Sequence, residues 1–87
     1  MHEASLMKGL MRRIEDIARD QQAARVVGVS VWLGALSHMS AEHFAEHFDE
    51  ASAGTIAEGA HLSATASDDI RHAHAQDVLL ESIEVET

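Results

Sequence analysis

The chain has 87 residues, with 6 lysines or arginines and 15 aspartates or glutamates, so its formal net charge is −9. This length predicts one small domain over residues 1–87 with a thin core, and the acidic balance argues against nucleic acid or an anionic membrane as a partner. Cysteine is absent and histidine occurs seven times, which excludes disulfides and thiolate zinc ligands and leaves imidazole as the nitrogen side chain suited to transition metals.

The first third of the chain predicts a helix followed by a strand. Apolar residues recur at spacings of three and four over about residues 4–22, as on one face of an amphipathic helix. Residues 25–33 then alternate with a period of two, which is typical of a strand. The strand face predicted to point into the core consists of Val27, Val29, Val31 and Leu33.

A second helix is predicted from Ser40 to about Ala51. Ser40 is a suitable N-cap, and Glu42 lies in the first turn, where a negative charge is favoured by the helix dipole. The apolar side chains of this segment again recur at helical spacing, with a row of acids on the opposite face. The segment is therefore expected to cross over the sheet and join two parallel strands.

Two further strands are predicted at residues 60–66 and 78–86, separated by a polar segment at residues 67–77. The last strand is expected to pair antiparallel after that segment. The predicted fold is a two-layer α/β (α+β) domain in the order helix–strand–helix–strand–strand, with a small three-stranded mixed sheet and both helices packed on one face. The inward side chains expected in the first of these two strands are Ala60, Leu62, Ala64 and Ala66.

The beginning of the sequence contains a candidate metal site. The α-amine of Met1, the amide nitrogen of His2 and the His2 imidazole can close adjacent chelate rings on one ion, and Glu3 can add an oxygen. Tetragonal ligation by nitrogen and oxygen suits Ni(II) or Cu(II), and binding in competition with protons should weaken as the pH falls. The alternative is a frayed chain end with an exposed histidine.

Two pairs of histidines are weaker candidates for metal ligation. His43 and His47 are spaced i, i+4 on the second predicted helix, within reach of one ion, and His72 and His74 would point the same way in an extended segment. The alternative for each pair is a solvated surface. No catalytic constellation or phosphate-binding loop stands out, so we predict that the chain is not an enzyme. Two histidines are expected to lie singly on the surface, His38 and His61.

Several blocks of sequence taken together resemble a known family. They are Met-His-Glu-Ala-Ser-Leu at residues 1–6, Arg-Val at 25–26 through Val-Trp-Leu-Gly-Ala-Leu-Ser at 31–37, and Gly-Thr-Ile-Ala-Glu-Gly-Ala-His-Leu at 54–62. The ending Leu-Leu-Glu-Ser-Ile-Glu-Val-Glu at 79–86 also fits. The chain resembles the hydrogenase nickel-incorporation proteins of the HypA/HybF type over roughly residues 1–66 and 78–86.

The resemblance implies a nickel metallochaperone that assists nickel insertion during the maturation of NiFe hydrogenase. It implies that Ni(II) is a transiently bound cargo held by the Met1 amine, His2 and Glu3. It also implies a nickel-handling maturation GTPase and the NiFe hydrogenase large-subunit precursor as partners. Some members of the family serve urease as well, so urease maturation proteins are further candidate partners.

The chain departs from the family pattern at two places. The family inserts a zinc lobe with two CxxC pairs between its last two strands, whereas residues 67–77 here form a short loop without cysteine. No structural zinc is therefore expected. Relatives often have an acid just before the second helix, where this chain has Ser40, although Glu42 follows. These departures leave an alternative open, an interaction or scaffold module of the maturation pathway that has lost zinc binding and nickel delivery.

The sequence also predicts where the protein resides. No apolar stretch reaches the length of about 20 residues that a membrane span needs, and residues 1–4 lack the basic start and apolar run of a secretory signal. We therefore expect a cytoplasmic protein. An exposed sheet face near Trp32 and a short edge strand are features that favour a homodimer.

Overall fold

The computed structural model describes residues 3–87, with side chains from Ser5 onward. It contains two helices and three strands in the predicted order, which confirms the expected small α+β fold. No helix in this part of the chain has the length and apolarity that would let it cross a membrane. The elements are α1 (Glu3–Asp20), β1 (Arg25–Leu33), α2 (Ala41–Ser52), β2 (His61–Ala66) and β3 (Val78–Glu86).

The helix α1 ends two residues earlier than the spacing of apolar residues predicts. Gln22 has a φ of 54°, the left-handed conformation that stops a helix. The amide of Ala23 donates to the carbonyl of Ala18 at 2.9 Å, and the amide of Gln22 donates to that of Arg19 at 3.0 Å. This pair of bonds is a Schellman motif, and it turns the chain into β1.

The sheet has the order β2-β1-β3, so β1 is its central strand. β2 runs parallel to β1, from Gly28 opposite His61 to Leu33 opposite Ala66. β3 runs antiparallel to β1. It pairs with β1 and not with β2, the strand that precedes it in the sequence. Residues 67–77 have to carry the chain from one edge of the sheet to the other, past the end of β1.

The crossing at residues 67–77 is bonded to the chain that follows β1. The amide of Gly34 donates to the carbonyl of Asp77 at 2.9 Å, and the amide of Leu36 donates to the carbonyl of Ala75 at 2.7 Å. A Cβ atom at position 34 would lie 2.2 Å from the Ala75 carbonyl oxygen. Glycine is required at position 34 because the two backbone segments approach too closely for a side chain.

The core lies between the two helices and one face of the sheet. One residue of β1 departs from the predicted alternation: Val26 is fully buried, whereas Val27 is only half-buried. The pairing of β1 with β3 shifts register between Val26 and Gly28, and such an irregularity changes which side chain faces the core. The prediction that Val27 points inward was therefore wrong. The buried residues of this core are Met7, Leu10, Met11, Ile14, Ala18, Val26, Val29, Val31, Leu33, Met39, Phe44, Phe48 and Ala57.

The edge strand β2 contributes less to the core than predicted. Leu62 and Ala64 are half-buried and pack against the core, as does Ala60 just before the strand. Ala66 is exposed, contrary to the predicted inward orientation. It is the last residue of an edge strand, paired with Leu33 at the very end of β1.

Candidate metal site

Of the residues predicted to hold nickel, only the backbone of Glu3 belongs to the described part of the chain. Met1 and His2 lie outside the described residues, and Glu3 is described only as the first backbone residue of α1. The first N–H groups of a helix have no acceptor within the helix. An amide nitrogen at this end of α1 could therefore ligate a metal ion without the loss of a helical hydrogen bond.

The beginning of α2 is fixed by its predicted N-cap. Ser40 is extended, with φ −82° and ψ 159°, and its Oγ accepts a hydrogen bond from the backbone amide of His43 at 3.1 Å. This bond satisfies one of the amides that the helix leaves unpaired in its first turn. The hydroxyl at position 40 therefore has a structural role in α2, and it fixes the backbone of the first histidine on this helix.

His43 and His47 meet on the surface of α2. The Nε2 atoms of the two rings are 3.1 Å apart, and the ring centroids are 4.6 Å apart at an angle of 64°. His43 is exposed and His47 is half-buried. The predicted proximity of this pair is therefore present.

A groove of about 700 Å³ runs between α1 and α2, beside the histidine pair. His47 is part of its wall, and Met11 and Thr55 meet in it, with Thr55 Oγ1 3.9 Å from Met11 Sδ. The wall from α1 is rich in charge, with an ion pair of 3.0 Å between Arg19 and Asp16. This charged wall was not singled out from the sequence, although its spacing is that of one helix face. Its charged residues are Lys8, Arg12, Glu15, Asp16 and Arg19.

The second histidine pair is built into the fold of the crossing segment. His72 Nδ1 accepts a hydrogen bond from the backbone amide of His74 at 3.0 Å, and His74 Nδ1 lies 2.9 Å from an oxygen of Asp77. The two ring centroids are 5.9 Å apart. The His72 ring also packs on Trp32, with centroids 4.7 Å apart. Each ring thus has a local partner in this turn-rich segment, which is not the extended conformation that a shared site would need.

The remaining histidines are exposed and separate. His38 adopts a left-handed conformation, with φ 61°, in the turn before α2, and His61 begins β2 opposite Gly28. Both lie on the surface, as predicted. Among the described side chains, from Ser5 onward, no three histidines, aspartates or glutamates are grouped closely enough to form a ready-made metal site.

Known proteins resemble this chain along most of its length. The family model described as "Hydrogenase/urease nickel incorporation, metallochaperone, hypA" matches residues 1–71. Hydrogenase maturation factor HypA of Acidithiobacillus ferrooxidans is 40% identical over 62 residues, and that of Methylocella silvestris is 44% identical over 62 residues. Each alignment covers 71% of this chain and 55% of the relative, so the chain spans about half the length of the curated relatives it matches.

A solved structure supports the same fold. The solution structure of the Ni metallochaperone HypA from Helicobacter pylori superposes with a TM-score of 0.81, covering 99% of this chain and 98% of that one at 20% sequence identity. At this identity the similarity establishes the two-helix, three-strand architecture alone. Together with the family match over residues 1–71 and the relatives at 40% identity or more, it places this chain in the HypA family of hydrogenase and urease nickel-incorporation proteins.

Proposed function

We propose that the chain is a nickel metallochaperone that carries Ni(II) for insertion during the maturation of NiFe hydrogenase. The observation that carries this proposal is the family match, which begins at residue 1 and so includes Met1, His2 and Glu3. In this proposal the Met1 amine, the His2 amide and imidazole nitrogens, and a Glu3 oxygen bind one ion. The nickel is cargo, bound long enough to be delivered.

The chemistry of these ligands suits a carrier. Nitrogen atoms of the amine, amide and imidazole close neighbouring chelate rings, and Ni(II) accepts such tetragonal ligation readily. In this proposal the bound ion has to stay open to the ligands of an acceptor protein, so that it can be handed on. Because the metal competes with protons for the amine and imidazole, acidification should favour release.

The role proposed is that of a carrier and not of a catalyst. The matched family is described as a metallochaperone, and the chain offers no reaction centre by sequence. We propose a cytoplasmic location and three kinds of partner: a nickel-handling maturation GTPase, the NiFe hydrogenase large-subunit precursor, and urease maturation proteins. We expect no structural zinc held by thiolates of this chain, because the sequence has no cysteine.

The test is a calorimetric titration of Ni(II) into the protein produced with Met1 as its first residue and a free amine. The change His2→Ala should abolish binding at the start of the chain, whereas His61→Ala, which removes a separate exposed histidine, should leave it intact. An extension of a single residue is unsuitable as a blocking control. It would place the histidine third, where the amine, two amides and imidazole form another tetragonal chelate.

A blocked amine gives the second arm of the test. Acetylation of the Met1 amine removes one proposed ligand without a change of side chain, and it should weaken the same binding event as His2→Ala. If both forms bind nickel with the affinity and stoichiometry of the unmodified protein, the proposed site is wrong.

A second candidate function is an interaction module of the same pathway. It is favoured by the short crossing at residues 67–77, where the family carries its zinc lobe, and by Ser40, whose hydroxyl caps α2 where relatives often have an acid. Such a module would bind a maturation protein through the acidic face of α2. Capture of that partner that depends on Glu46 and Glu50 but survives His2→Ala would favour this function over nickel delivery.

A further inference from the structure

We propose that His43 and His47 together bind one divalent transition-metal ion through their Nε2 atoms. This site is on α2 and is separate in sequence from the ligands proposed at residues 1–3. The pair would make the chain a carrier of two ions, or a carrier with a second position for one ion.

The distance between the two nitrogen atoms matches the requirement of a shared metal. A metal–imidazole bond is about 2.0–2.1 Å long. Two such bonds to nitrogens 3.1 Å apart meet at an angle of about 98° by simple trigonometry. That angle lies between the square and the tetrahedral arrangement, so the spacing of the two nitrogens fits one shared ion.

The pair is held in position by the way α2 is anchored. Ser40 caps the helix through the amide of His43, so the first turn is fixed. Phe44 and Phe48 each follow one histidine, and they are 0% and 1% exposed in the core. These anchors fix the rotation of α2, and with it the direction in which His43 and His47 leave the helix.

The contact between the rings has to change when a metal enters. At 3.1 Å, the two Nε2 atoms are within hydrogen-bond distance of each other, so one of them donates a proton and the other accepts it. A metal ion takes the place of that proton, which moves to the Nδ1 atom of the same ring, so that both rings bind the metal as neutral imidazoles.

The exposed face of α2 beside the pair attracts cations, whereas the α1 wall of the adjoining groove also carries Lys8, Arg12 and Arg19. The exposed face of α2 carries Glu42, Glu46, Asp49 and Glu50, and a surface of one charge concentrates counter-ions. No third side chain of the described residues completes a ready-made cluster with the pair. Water or the ligands of another protein would fill the remaining positions, which suits an ion that is passed on.

The experiment isolates this pair from the start of the chain. Ni(II) is titrated into His2→Ala, with far-UV circular dichroism to verify the helices. We expect about one remaining equivalent of Ni(II), which His43→Ala or His47→Ala, added to His2→Ala, weakens by about a hundredfold, as expected when one arm of a two-armed ligand is removed. The matched control adds His61→Ala instead and should bind like the parent.

Two further measurements identify the atoms and the cooperation between them. In a titration with Zn(II), the ¹⁵N resonances of His43 Nε2 and His47 Nε2 should shift together. The double change His43→Ala/His47→Ala should cost little more than either single change, since a chelate is broken by the loss of one arm.

The outcomes separate this proposal from the proposed function. It is overturned if His2→Ala binds no nickel, or if His43→Ala and His47→Ala leave its binding unchanged. If His2→Ala abolishes all nickel binding, that result still supports the site at residues 1–3. Nickel binding that is insensitive to His2→Ala and is lost with His43→Ala would support the pair and count against that site.

Discussion

The helix α2 carries one pair of rings at i, i+4 spacing on its buried face and a second pair on its exposed face. The two pairs have different roles. Phe44 and Phe48 are fully buried, with ring centroids 6.4 Å apart and nearly parallel planes. His43 and His47, one position earlier, meet at 4.6 Å on the surface. A shift of one residue turns a side chain by about 100° around a helix, enough to move the same i, i+4 pattern from the core to solvent.

The comparison indicates that the buried pair sets the geometry of the exposed pair. The phenylalanines hold α2 against β1 and α1 in the one core of the domain. The histidines lie on another side of the same helix, and the rotation of α2 sets the direction in which they leave it. Stability and metal binding should therefore separate when the two faces are changed independently.

The largest effect is expected from the buried face. Phe44→Ala should lower the free energy of unfolding by about 3–5 kcal/mol, because it removes a fully buried ring and leaves a cavity. His43→Ala, one residue away and exposed, should change it by less than about 0.5 kcal/mol. Urea unfolding followed by circular dichroism measures both, and similar losses in the two variants would contradict the division between the faces.

Much of this fold follows from the sequence, because the patterns that predict it are local. The N-cap Ser40, the apolar spacing of α2 and the alternation in β1 each placed an element within two residues of its observed bounds. The alternation of residues in β1 could not predict that Val26, and not Val27, is buried in the core. It depends on a register shift against β3, a strand more than fifty residues later in the chain.

The candidate sites show the same limit. Spacing predicted that His43 and His47 could meet, but only the three-dimensional arrangement gives the 3.1 Å between their nitrogens. For His72 and His74, spacing did not predict that the ring nitrogens would make local contacts with a backbone amide and with Asp77. The metal site proposed at residues 1–3 is a prediction from residue chemistry and family resemblance.

The second effect is stabilisation by metal at the exposed face. At a free Ni(II) concentration of 100 times the dissociation constant, one site that exists only in the folded protein should add about 2.7 kcal/mol to the free energy of unfolding. In His2→Ala this gain should require both His43 and His47. Thermal unfolding with and without Ni(II) measures it, and a gain that persists in His2→Ala/His47→Ala would mean that the stabilising site is elsewhere.

A third change affects both faces of α2, because the N-cap Ser40 fixes the first turn of the whole helix. Ser40→Ala removes the acceptor of the His43 amide and should cost about 1 kcal/mol of stability. It should also weaken metal binding by the histidine pair, since the first turn frays. Ser40→Asp keeps an acceptor and should restore both properties. Unfolding and Ni(II) titration of the same three proteins check this, and full metal affinity in Ser40→Ala would show that the cap does not position the pair.

The smallest effects distinguish the two ends of the acidic face. Glu42 lies in the first turn of α2, where its charge is favoured by the helix dipole, and the last turn of α2 contains no basic residue of its own. Glu42→Gln should therefore destabilise the protein by about 0.3–1 kcal/mol, whereas Glu50→Gln should stabilise it by a similar amount. The two variants have the same net charge, so any general relief of acidic repulsion is common to both. Urea unfolding at low ionic strength measures the difference, which should shrink in high salt. Changes of the same sign and size would mean that overall charge, and not position along α2, governs this face.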